Sequence, residues 1–227
     1  MGESFSDYMV YKYNPYLAVV LGFTVFAAAL GLQFKKKAYI PWVYWLAVAM
    51  VAVFGTMAAD VLHIQLKVPY VASTAFFAAA LLVIFTWWHR SEKTLSIHSV
   101  YTTRREVFYW LAVLATFAMG TAAGDLTAYT FHLGFFTSGI LFAVIFALPA
   151  LGYWLFRLNP VFSFWFAYVM TRPFGASFAD WFGKSKSVGS LGYGDGKVAL
   201  TLSTLIIILV AYLSFSKKDR YIKEKTS

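Results

Sequence analysis

Seven apolar runs constrain this chain more than any other feature. They cover about residues 15–34, 41–64, 69–88, 107–130, 134–156, 161–183 and 197–215. Each is close to the roughly 20 residues a helix needs to cross the hydrocarbon core of a bilayer. Backbone groups surrounded by lipid must satisfy one another, and segments of this length do so as helices. The expected fold is therefore all-α, a polytopic transmembrane bundle of seven spans forming one integral-membrane domain over residues 1–227. Composition agrees: the 227 residues are 60% hydrophobic and 13% charged, which leaves no room for a sizeable soluble domain. Without cysteine the chain can form neither disulfides nor thiolate metal sites.

The net charge of +9 is carried in short segments between the apolar runs, where Lys and Arg act as topology signals. Lys35, Lys36 and Lys37 follow the first run; Arg90, Lys93, Arg104 and Arg105 follow the third; Arg157 follows the fifth. A basic tail, 217–227, follows the last. The other side carries only Lys12, Lys67, Lys184 and Lys186. The N-terminus is thus expected outside and the tail in the cytoplasm, with the bacterial inner membrane as the location. Membrane lipid is an expected partner, nucleic acid is not, and homo-oligomerisation is left open.

Three of the runs align without gaps: YWLAVAMVAVFGTMAAD (44–60), YWLAVLATFAMGTAAGD (109–125) and FWFAYVMTRPFGASFAD (164–180). Each has Trp, then Gly ten residues on, then Asp five further. The triplets are Trp45/Gly55/Asp60, Trp110/Gly120/Asp125 and Trp165/Gly175/Asp180. Gly2 and Asp7 keep the last spacing, and NPYLAVVLGF (14–23) parallels VPYVASTAFF (68–77). The repeating unit is therefore a motif helix followed by a plain helix, at about 1–37 (partial, its motif helix truncated), 41–89, 107–157 and 161–216. Units of two spans return the chain to one side, so all motif helices run parallel, related by an axis along the membrane normal.

A charged side chain at the bilayer centre costs on the order of 3 kcal/mol on insertion scales, so these aspartates should face the bundle interior. At 100° per residue Trp45, Thr56, Asp60 and His63 share a helix face, as do Trp110, Thr121 and Asp125. Converging carboxylates repel, and they settle by sharing protons or by binding a cation. Oxygen ligands with Thr hydroxyls suit Mn²⁺, Mg²⁺ or Ca²⁺, while His63 biases toward a transition metal. Asp60, Asp125 and Asp180 are the candidate metal ligands or proton carriers, with Asp7, Thr56, Thr121, His63 and Arg172 assisting. Gly55, Gly120 and Gly175 would permit close helix approach, as the three motif Trp residues mark each copy. Arg172, beside the helix-breaking Pro173, would pair with an aspartate or move during a cycle. The opposing possibility is architectural, with Asp serving helix ends and helix contacts.

FGTMAAD, WHRSEKTLSIHSVYTTRREVFYW, MGTAAGD and FAYVMTRPFGASFADW together resemble the bacterial membrane proteins built from a repeat of unknown function, domain of unknown function 347. The resemblance spans nearly the whole chain and implies architecture rather than mechanism. It departs at the N-terminus, where a complete first motif helix is usual. The functional expectation is a secondary transporter of a cation, a divalent metal such as manganese first. A proton-coupled exporter of a small organic cation is one alternative, and a non-transporting scaffold or sensor with structural aspartates is another. No nucleophile–base pair suggests an enzyme. No cofactor is expected, a bound divalent cation being substrate.

Overall fold

The computed structural model describes residues 1–36 and 38–216; Lys37 and the basic tail 217–227 lie outside the described residues. Among the described residues are eight α-helices and no strand. They are α1 (Gly2–Lys12), α2 (Pro15–Phe34), α3 (Pro41–Asp60), α4 (Tyr70–Glu92), α5 (Thr103–Asp125), α6 (Gly134–Phe156), α7 (Pro160–Gly183) and α8 (Asp195–Ser216). Two starts are written the same way, as Asn-Pro. Asn14 Oδ1 accepts from the amides of Tyr16 and Leu17, and Asn159 Oδ1 from those of Val161 and Phe162. Each Asn satisfies two otherwise orphaned N–H groups, and the proline at the first helical position has no N–H to lose.

Among the described residues, six helical segments are long and apolar enough to cross a membrane by length and composition, one fewer than the seven expected. The seventh is α7, which packs in the inner ring against α1, α5 and α6 and falls short on composition alone. Its 24 residues are sufficient in length, but Arg172, Pro173 and Asp180 interrupt its apolar character. α1, with 11 residues, is too short. The protein is a multi-pass helical bundle of membrane type.

The motif helices touch in cyclic order, α1 against α3, α3 against α5, α5 against α7 and α7 against α1. Each plain helix packs on the motif helix of the following unit: α2 on α3, α4 on α5, α6 on α7, and α8 on α1, which closes the circle. The inner ring is the buried part. In the apolar spans 56% of the α3 window and 72% of the α5 window are buried, against 17% for α2 and 11% for α8.

Glycine sets the spacing of the inner ring. A Cβ on Gly2 would lie 2.6 Å from Ala52 Cβ, one on Gly55 2.6 Å from Phe117 Cβ, and one on Gly120 2.3 Å from Arg172 Cβ. Ala52, Phe117 and Arg172 occupy one register position, three residues before the motif glycine of their own helix. Each of these three glycines thus receives the same turn of the next helix. Gly175 has no atom within 4 Å of such a Cβ, so the ring is tight at three contacts and open at the fourth.

Both α3 and α5 run directly into a π-helical turn, Val61–Gln65 and Leu126–Thr130, beginning one residue after the motif aspartate. α7 does not. It stays α-helical to Gly183 and its chain turns back in the loop 184–194. π-turns inside helices are often found at functional sites.

Candidate carboxylate site on the ring axis

The register of the repeat generates layers. The position after each motif glycine holds Glu3, Thr56, Thr121 and Ala176. Three of these four side chains meet. Glu3 Oε2 accepts hydrogen bonds from Thr121 Oγ1 at 2.8 Å and Thr56 Oγ1 at 3.2 Å, and the two threonine hydroxyls stand 3.2 Å apart. Glu3 is buried, so its carboxylate draws its solvation from these hydroxyls.

One turn further along lies the aspartate layer: Asp7, Asp60, Asp125 and Asp180. Asp7 and Asp180 are buried, at 4% and 2% exposure, whereas Asp60 and Asp125 are half-buried. One carboxylate oxygen each from Glu3, Asp7 and Asp180 falls within 4.8 Å of the others, close enough for one cation to touch all three. Ser6 Oγ donates to Asp60 Oδ2 at 3.4 Å. Among the described residues no donor reaches Asp125, whose carboxylate feels Glu3, Asp7 and Lys184 through space.

Lys184 is the local counter-charge. Its ammonium forms an ion pair with Asp7 and a second, at 3.5 Å, with Asp180 one helical turn before it. Burial opposes its charge, but Asp180 and Asp7 outweigh burial and hold the ammonium above the usual lysine range. Asp180 Oδ1 still lacks a hydrogen-bond donor, because the 3.5 Å pair has ion-pair rather than hydrogen-bond geometry.

The structure therefore gathers Asp7, Asp60, Asp125, Asp180, Thr56 and Thr121. Two expected participants stand apart. His63 does not enter the cluster: its Nδ1 lies 3.0 Å from the Val68 carbonyl and its Nε2 3.1 Å from Ser73 Oγ, so both ring nitrogens are engaged locally. Arg172 makes no ion pair with an aspartate among the described residues. Its guanidinium carbon lies 3.5 Å from the Phe117 ring centroid and 4.9 Å from that of Tyr168, a cation–π arrangement, while its buried Nε has no partner. It lines a cavity of about 220 Å³ with Glu3, Trp45, Thr56, Thr121 and Gly175, beside the open contact of the ring. Of the motif tryptophans, Trp110 donates to Glu106 at 3.3 Å and Trp165 to the Leu95 carbonyl at 2.8 Å, both buried in structural roles.

Glu3 and Lys184 escaped the sequence reading. A signal existed for each: Glu3 sits where Thr56 and Thr121 sit, and Lys184 is one turn beyond Asp180. Neither residue repeats, so a search for repeats passes over both.

The profile of a family described as Repeat of Unknown Function (DUF347) matches residues 43–94, 108–159 and 163–219, well over half of the chain. The chain belongs to this family. The three matches cover the three complete Trp–Gly–Asp motifs and the plain helix after each. No curated protein and no solved structure matches the chain.

Proposed function

We propose that this DUF347 protein is a secondary transporter of a divalent cation in the bacterial inner membrane, with the C-terminus cytoplasmic and the aspartate layer toward the outer side. The observation that carries the reading is the convergence of Glu3, Asp7 and Asp180 at ligand distance inside a helical ring, with Asp60 and Asp125 alongside. Five carboxylates share this region with one lysine. Burying so much unbalanced negative charge is unfavourable unless protons or a cation complete the balance. The oxygen-only donor set favours Mn²⁺, Mg²⁺ or Ca²⁺ over softer metals. Purified protein in proteoliposomes should carry at least one of these ions down an imposed gradient. Absence of flux for all three would overturn the reading.

A purely structural role for the aspartates has one observation in its favour: Lys184 already neutralises part of the cluster. Asp125 separates the two readings, since no donor depends on it. In a transporter Asp125→Asn stops flux and leaves the fold intact. In a scaffold it leaves cellular cation content and fold alike unchanged.

A further inference from the structure

Lys184 lies in the site rather than beside it. Its ammonium contacts Asp7 and Asp180, two of the three residues whose oxygens could hold one cation, and its side chain is 17% exposed. A divalent ion touching the same oxygens would stand within a few ångströms of that ammonium, where like charges repel strongly in a poorly hydrated site. Lysine and ion therefore exclude one another. Oδ1 of Asp180, on a residue 2% exposed, has the 3.5 Å ion pair with Lys184 but no hydrogen-bond donor, and it is what such an ion would engage once the lysine has withdrawn.

Repeat register makes the lysine singular. The residues four beyond Asp7 and Asp125 are Tyr11 and Tyr129, so only the third complete copy places a cation at this level among them. Its backbone is equally distinct: α3 and α5 enter a π-turn after their aspartates, while α7 ends at Gly183. Beyond Lys184 the loop folds back, with the Leu191 amide donating to the Trp181 carbonyl at 2.7 Å and the Tyr193 amide to that of Phe182 at 3.0 Å. The lysine thus springs from the junction of a helix end and a returning loop, and its long, flexible stem can move the charge while the backbone stays in place.

We propose that Lys184 is a tethered counter-cation that occupies the empty site and is displaced when the transported cation binds, so that it sets the affinity of the site. This rests on the proposed function, because it needs the carboxylates to bind an ion.

The test uses the full chain in detergent or nanodiscs, with Mn²⁺ binding followed by loss of the free-ion electron paramagnetic resonance signal, and with Mg²⁺ and Ca²⁺ as competitors or by calorimetry. Lys184→Gln should tighten Mn²⁺ binding at least tenfold, and Lys184→Arg should stay within about threefold of the wild type. Unchanged or weaker binding by Lys184→Gln overturns the proposal. A second measurement needs no variant: acetylation of Lys184 by a small amine-reactive reagent, quantified by mass spectrometry against exposed Lys186, should rise at least threefold at saturating Mn²⁺. If the ion binds and Lys184 reactivity does not rise, the inference fails and the transport reading survives. If none of the three ions binds the wild type, both fall.

Discussion

The inner and outer helices of this molecule are made of similarly apolar sequence and meet opposite surroundings. α5 and α8 both qualify as membrane spans, yet 72% of the α5 window is buried and only 11% of the α8 window. Hydropathy alone would not rank them so: the α8 window is the more apolar, at 2.4 against 1.6. In lipid the hydrophobic effect does not drive helices together, so what goes inside is decided by close packing and polar contacts. α5 brings Gly120, Thr121, Gly124 and Asp125. α8 offers Leu205, Ile207, Ile208 and Leu209 to its surroundings. Inner position follows from small and polar residues, outer position from their scarcity.

The comparison breaks most severely if the inner carboxylates prove dispensable. Asp180→Asn should lower cation flux in proteoliposomes at least 100-fold, equivalent to about 2.7 kcal/mol. Flux within threefold of the wild type would remove Asp180 from the site.

Next in size is the contrast between two motif glycines. Gly120→Leu forces a side chain into the Arg172 backbone and Cβ, and overpacking of this kind costs about 1–3 kcal/mol. Gly175→Ala meets open space in a helix and should be neutral or stabilising by up to about 1 kcal/mol from helix propensity. Thermal unfolding of the two variants in one detergent measures the difference. Equal midpoints would show that the ring contacts are not tight as described.

Thr121→Val removes the shorter hydrogen bond to Glu3 while keeping shape, and should destabilise by about 1–2 kcal/mol. An unfolding midpoint identical to the wild type would mean that Glu3 finds its partners elsewhere. The smallest effect belongs to the outer ring. Ile207, 67% exposed, should tolerate alanine within about 0.5 kcal/mol. A larger loss would reveal a protein surface covering α8.

Much of this arrangement is legible in the residues alone, because repetition is. The offsets of Trp, Gly and Asp in the three complete copies define the motif helices and bring Asp60, Asp125 and Asp180 to one level. The paired threonines Thr56 and Thr121 follow from the same register. What repetition cannot show is where copies differ. His63 shares the helical face of Asp60, but the π-turn after Asp60 and the return at Val68 and Ser73 engage its ring instead. Arg172 has the charge for an ion pair, yet the close passage of Gly120 presses its stem against α5 and its guanidinium over Phe117.

By itself, then, the sequence determined a helical membrane bundle, the two-helix unit and the level of the aspartates, since bilayer thickness and helical periodicity are local constraints that any single stretch must obey. Only the tertiary structure decided that the Glu3 carboxylate meets the hydroxyls of Thr56 and Thr121, and that Lys184 answers the carboxylates. Those outcomes depend on which helix lies next to which around a closed circle, and hence on distances between residues separated by as many as 177 positions in the chain.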